Sequence, residues 1–329
     1  MLYGKLPMKD FQKELGNELL ASVSRSFFLS LRFLPPKMRE PMSLAYLLAR
    51  ISDTIADTEA LPKEERLIFL SEIGSSIEGS GPISDFTDMT FGDGLTDGES
   101  LLLRKSHLCL AWLETIEGVN LASIQKVMRS IIKGQSDDLN RFSSDHLESL
   151  SSEEELEDYT YDVAGSVGVF WTEVGFNSYG NKFSDQEIKT MIKLGSDYGK
   201  ALQLLNILRD FPKDFDNGRC YFPGQFNDSI DHKVWEEVSE IWISRCRSLM
   251  GSAATYVNSL RLPRIRFSTG LPAMIGAQTL TLIERSKWGD LKSGLKIKRS
   301  NVKSLLFRAL IKSLTKNGIS NWLKKELRD

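Results

Sequence analysis

The chain has 329 residues, 41% hydrophobic and 26% charged, with a formal net charge of −2. A balance that close to neutral excludes the strongly basic footprint of a nucleic-acid binder, and no tract of 18 apolar residues offers a membrane span. No charged n-region leads into an apolar h-region, so the expectation is a soluble, cytoplasmic protein.

After the Pro35-Pro36 break, Leu44, Leu47, Leu48, Ile51 and Ile55 recur at threes and fours, which predicts a helix over about 40–58. Helical runs follow over about 63–77, 100–115, 122–142, 152–178, 184–210, 232–259, 272–288 and 300–327. Between the second and third, residues 79–98 crowd Gly, Pro, Ser and Asp together and read as a mobile surface loop. Alternating strand patterns are missing and no repeat of fixed period appears, so the fold expected is all-α: a single-domain helical bundle over 1–329, with its site in a central cavity between facing helices. Cys109, Cys220 and Cys246 are odd in number and scattered, which suits neither a disulfide framework nor a zinc site; reduced, structural thiols are expected.

Two acidic pairs of the same form stand out, Asp53-Thr-Ile-Ala-Asp57 and Asp210-Phe-Pro-Lys-Asp214, each ending an apolar helical run. Residues four apart share a helix face, and like charges there repel by a few tenths of a kcal/mol. Two such pairs suggest a bound cation, and magnesium, a hard ion held by one or two carboxylates plus substrate phosphates, is the natural candidate. On spacing alone the first pair reads more readily as a solvated face, and Arg50, three residues before Asp53, as either an ion-pair partner or a phosphate clamp. The second pair carries more information. Gln203, Asn206, Asp210 and Asp214 form a polar stripe beside Leu202, Leu205 and Leu208, and the segment runs into Asp216-Asn-Gly-Arg219-Cys-Tyr221, a turn expected to bring a guanidinium and a phenol beside the carboxylates. Pro212 disfavours α geometry at Phe211 and removes a backbone donor, so a kink is expected between Asp210 and Asp214.

Taken together, Ser24-Arg25-Ser26-Phe27, then Tyr46, Arg50, Asp53 and Asp57, then Tyr159 with Val163-Ala164-Gly165-Ser166-Val167-Gly168, then Gln203, Asn206, Arg209, Asp210, Asp214, Arg219 and Tyr221, resemble in order and spacing the squalene and phytoene synthases, which join two prenyl diphosphates head to head. The resemblance runs from about Ser22 to Arg299 and implies a class I isoprenoid synthase fold. It implies that Asp53, Asp57, Asp210 and Asp214 hold magnesium, that Tyr159 relays or accepts a proton, and that the diphosphates and prenyl chains are met by Ser24, Arg25, Ser26, Phe27, Tyr46, Arg50, Val163, Ala164, Gly165, Gly168, Gln203, Asn206, Arg209, Arg219 and Tyr221. Phe27, Phe28 and Phe170 are candidates to wall a prenyl tunnel, and Asp138 reads as support behind the site. One departure is Lys213, where the family usually shows Glu. Gly294-Leu-Lys296-Ile-Lys298-Arg299 resembles the lysine-bearing segment that reductive members place near NADPH, so Lys296 and Lys298 are the cofactor candidates and squalene from two farnesyl diphosphates is the expected product. Phytoene or dehydrosqualene synthesis without reduction is the alternative, and a catalytically silent relative acting as an assembly or binding factor is a second. The basic helix over about 300–327 is expected either to pack on the bundle or to rest peripherally on a membrane surface.

Overall fold

Apolar residues spaced at threes and fours give helices nearly throughout the computed structural model, which describes residues 8–24, 27–86, 94–142, 146–224, 226 and 232–328. They gather into two compact units, residues 1–139 and 140–329.

In the first unit α1 (Met8–Glu14) passes through a π-helical turn (Leu15–Leu19) into α2 (Leu20–Ser24), followed by α3 (Phe27–Phe33), α4 (Pro36–Asp57), α5 (Lys63–Ile77), α6 (Asp97–Arg104), α7 (Ser106–Leu113) and α8 (Gly118–Arg141). Helix α4 starts about four residues before the expected position because Pro36 occupies the first helical position, where a missing N–H costs nothing. The Arg39 guanidinium donates to the Leu34 carbonyl and ties the entering chain to the first turn. Leu44, Leu47, Leu48, Ile51 and Ile55 are all but fully buried, so α4 forms the spine of this unit. The run expected over 100–115 is broken at Lys105 into α6 and α7. Helix α6 begins early because Thr96 and Glu99 close a capping box, each satisfying the other's backbone N–H. Residues 87–93 of the expected loop lie outside the described residues. Before them Ser84 binds Glu72, and Phe86 is buried edge-on against Phe69 at 5.3 Å.

The second unit opens on β1 (Glu148–Ser149) and continues through α9 (Glu153–Thr160), a π-helical segment (Tyr161–Gly165), α10 (Ser166–Tyr179), a 3-10 turn (Gly180–Lys182), α11 (Ile188–Asp216), β2 (Arg219–Cys220), α12 (His232–Ser259), α13 (Pro263–Arg285), α14 (Trp288–Lys292), α15 (Arg299–Ser313) and α16 (Gly318–Glu326). Helix α13 begins nine residues before the expected start, with Pro263 at its first position, and the last expected run is two helices. Helix α11 is central, lying against α10, α12, α13 and the π segment.

Its crossing with α10 is a backbone-to-backbone approach. A Cβ on Gly168 would sit 1.9 Å from the Gly195 carbonyl oxygen, and one on Gly199 would sit 2.1 Å from that of Ala164. Only glycine permits axes that close, which sets α11 directly against the segment that follows Tyr159.

Helix α11 continues through Pro212 to Asp216, so the proline does not end it. The local preference is overridden by packing. Phe211, the residue before the proline, is buried, stacked on Trp235 at 5.2 Å, with Phe222 at 5.2 Å, Phe215 at 6.0 Å and Trp288 at 6.3 Å. Burying an aromatic side chain contributes roughly 1.5–3 kcal/mol, enough to offset much of the helix penalty of an internal proline.

Candidate active site

On α4 the polar residues Tyr46, Arg50, Asp53 and Asp57 succeed one another at fours and threes, a stripe along an otherwise apolar helix. The Arg50 guanidinium donates to Asp53 at 2.8 Å and to the Tyr46 hydroxyl at 3.5 Å, and that hydroxyl in turn donates to the Val23 carbonyl at 3.3 Å. Phe27 stacks on Tyr46 with ring centroids 5.5 Å apart. The stripe is therefore braced against α2 and α3. Ser24 is buried with its hydroxyl bonded to the Leu20 carbonyl of its own helix. Arg25 and Ser26 lie outside the described residues.

Asp53 keeps 45% of its side-chain surface accessible. Crowding by protein atoms nevertheless disfavours its charge, and with the Asp57 carboxylate one turn away it pushes the Asp53 carboxyl up to about 6, against the pull of Arg50. A negative charge that the protein burdens in this way, at an accessible position, is one that an external cation would relieve. Burial also works against the Arg50 guanidinium, but Tyr46, Asp53 and Glu99 outweigh it and hold its pKa above the ordinary value. Glu99 was not among the sequence candidates. The Thr-X-X-Glu of the capping box was its signal, since the box fixes where that carboxylate sits.

Helix α11 repeats the design. Gln203, Asn206, Asp210 and Asp214 share one face, with Asn206 donating to Gln203 at 3.4 Å. Arg209 grips Asp210 with two parallel bonds, Nε to Oδ1 at 2.8 Å and Nη2 to Oδ2 at 2.5 Å. This bond leads in raising the Arg209 pKa; burial opposes it, and the charges of Asp210 and Asp214 add to the rise. Lys213 is exposed.

Gln203 links this stripe to α9 by donating to the Tyr159 hydroxyl at 3.4 Å. Tyr159 stacks on Tyr221 with centroids 4.7 Å apart, and Phe142 stands edge-on to Tyr221 at 5.1 Å. Tyr221 arrives there because Gly218, at φ 77°, ends α11 in the left-handed conformation that helix exits favour. The chain then turns back as β2, which pairs in parallel with β1, Arg219 opposite Glu148. The turn therefore returns beside the acids, close enough for Asp214 to add to the burial that pushes the Cys220 thiol up to about 12. Cys109 and Cys246 are likewise buried, free and pushed up to about 12 by burial, so all three are inert thiols at neutral pH.

The small residues after Tyr159 have a packing role. Ala164 and Gly168 sit in the backbone crossing with α11, and Gly165 is buried beside Ser196, Lys200 and Tyr161. Val163 is half-buried in the π segment, a distortion frequent at functional sites. Near it, and missed in the sequence, Glu157 receives Lys200 at 2.6 Å and Arg245. Burial works against its charge, but the two cations prevail and hold its carboxyl below the usual range. Phe170 is buried, Phe28 half-buried, and Asp138 half-buried on α8. Lys296 and Lys298 are exposed between α14 and α15, on either side of the half-buried Ile297.

Among the described residues no cluster of three or more His, Cys, Asp or Glu forms a ready-made metal cage. Each pair offers two carboxylates one turn apart, an oxygen-only set that fits magnesium if waters and diphosphate oxygens complete its octahedron.

Paired acids, their arginines and a tyrosine bonded to the second stripe coincide with one family pattern: the squalene/phytoene synthase model matches residues 20–301. The chain belongs to that family. It is 24% identical over 308 residues to the squalene synthase of Schizosaccharomyces pombe, covering 89% of this chain and 64% of that protein. It is 23% identical over 302 residues to inactive squalene synthase 2 of Arabidopsis thaliana, covering 84% and 68%. The chain spans less than two thirds of the length of the S. pombe squalene synthase and of squalene synthase 1 of A. thaliana and of Panax ginseng. The solved complex of TcSQS with a ligand superposes at a TM-score of 0.77 with 20% identity, covering 97% of this chain and 91% of that one. The family's all-α fold is thus the fold of this chain. No helix among the described residues is long and apolar enough to cross a membrane.

Proposed function

We propose that this protein is a magnesium-dependent prenyltransferase that condenses two farnesyl diphosphates head to head, through presqualene diphosphate, to squalene. The observation that carries this reading is the doubled arrangement of an accessible Asp-X-X-X-Asp face with an arginine on its first acid, Arg50 on Asp53 and Arg209 on Asp210.

Asp53 and Asp57, and Asp210 and Asp214, would hold the metal ions. Magnesium, when bound, supplies positive charge to the departing diphosphate. The planar forks of Arg50 and Arg209 are suited to meet phosphate oxygens, exchanging a carboxylate partner for a phosphate one. Asn206 and Gln203 orient the second stripe, and Gln203 fixes the Tyr159 hydroxyl. That hydroxyl oxygen, bonded by the Gln203 amide on a ring stacked against Tyr221, would accept and pass on the proton lost as the cyclopropyl ring closes. Lys296 and Lys298 would receive the phosphate of NADPH, which supplies the hydride for the final reduction.

Purified protein is incubated with magnesium and farnesyl or geranylgeranyl diphosphate, with and without NADPH, and products are identified by mass. Squalene from the shorter substrate, dependent on NADPH, is the expected result. Phytoene or dehydrosqualene formed without NADPH would move the protein to the non-reductive branch. The inactive Arabidopsis relative motivates a second reading, a silent member that binds without turnover; absence of any product while diphosphate still binds would establish it.

A further inference from the structure

Helix α15 has two apolar faces, and the protein covers one. Leu305, Ala309 and Ser313 are buried toward the body of the second unit, where α15 lies against α13 and α16. On the opposite side Phe307, Leu310 and Ile311, with Leu314 just past the helix end, follow at threes and fours and are 64%, 43%, 51% and 68% exposed. Single exposed apolar residues are ordinary, but four large ones forming a continuous stripe are not.

The charge on α15 itself has one sign, and beyond its end Lys316 pairs with Asp185. Helix α15 contains Arg299, Lys303, Arg308 and Lys312 and no acid, and Glu326 is the sole Asp or Glu between residues 292 and 328. Lys303 lies one turn before Phe307 on the same face, Arg308 flanks the stripe, and both are exposed. A large apolar face rimmed by cations matches the headgroup and acyl boundary of an anionic bilayer, where apolar burial and electrostatic attraction add. We propose that the outer face of α15 docks the protein on anionic phospholipid membranes, with Phe307, Leu310, Ile311 and Leu314 entering the interface and Lys303 and Arg308 meeting lipid phosphates. The proposal goes beyond the reaction and is read without substrate.

The test is sedimentation of the full chain with phosphatidylcholine vesicles, with and without phosphatidylglycerol, in low and high salt. Binding should require phosphatidylglycerol and weaken in high salt. F307S/L314S should lower the vesicle partition coefficient by about tenfold or more, because each side chain forfeits a good part of the roughly 1.5–3 kcal/mol of a buried one. K303E/R308E, which keeps the apolar stripe, should lower it by at least about tenfold in low salt at ~1 kcal/mol per basic residue. Circular dichroism checks that both variants remain folded. Absence of binding to phosphatidylglycerol vesicles, or binding that neither variant weakens, would overturn the proposal. So would a stable dimer of the unmodified chain that F307S/L314S dissociates without any vesicle binding, since the stripe would then be covered by a second copy.

Discussion

The two acidic helices, α4 in the first unit and α11 in the second, present the same polar stripe and support it differently. On α4 the arginine sits three residues before the first acid and shares itself with Tyr46, while Asp57 adds to a charge already disfavoured by crowding, so that the Asp53 carboxyl rises to about 6. On α11 the arginine is the preceding residue and closes a two-bond clamp on Asp210. The first face holds a carboxylate poised to gain from a cation. The second holds one already matched by a guanidinium, and connects instead to Tyr159 and Tyr221. One motif can therefore carry two electrostatic settings, decided by neighbours rather than by the spacing of the acids.

Removing an acid is the strongest way to break the comparison. Asp53→Ala and Asp210→Ala should each lower kcat on farnesyl diphosphate by on the order of a thousandfold, the scale of losing a preorganised electrostatic partner, with helical circular dichroism unchanged. Full activity in either variant would remove that acid from the metal site. Tyr159→Phe keeps the stack on Tyr221 and loses only the hydroxyl, so turnover should fall by about a hundredfold with little change in KM. A rate equal to wild type would leave Tyr159 a packing residue.

Gly168→Ala tests whether the second stripe depends on the glycine crossing. The new methyl meets the Gly195 carbonyl oxygen, and the thermal unfolding midpoint should drop with a loss of about 1–3 kcal/mol, the range for overpacking. An unchanged midpoint would mean that the helices separate without cost. The smallest effect is expected at Thr96→Ala, which opens the capping box of α6 and should cost about 1 kcal/mol in denaturant unfolding. If Glu99 matters to the first stripe only through its fixed position, this variant should also shift the salt dependence of turnover.

Helix identity was legible in the residues because burial follows a 3.6 period: the runs over 63–77 and 232–259 match α5 and α12 from end to end. The ends of other helices were less legible, since they depend on caps and turns. Thr96 starts α6 three residues early, and Lys105 divides an apolar run that has no proline or glycine to mark the break. Pro212 carries a strong local signal against α geometry at Phe211, and the helix continues through it with Phe211 packed among aromatic rings. In the site, both stripes could be drawn from spacing alone, whereas Glu99 and the Lys200–Glu157–Arg245 cluster are far apart in sequence from what they face.

By itself the sequence determined the all-α class, the two acidic stripes with their arginines and the family, because period and spacing are properties of a single chain segment. Tertiary structure alone decided that Gly168 meets Gly195 and Ala164 meets Gly199 where α10 and the π segment cross α11, that Tyr221 folds back onto Tyr159, and that α15 turns an apolar stripe outward. Each of these depends on which atoms from distant segments fill the space beside a residue, and no local pattern encodes that.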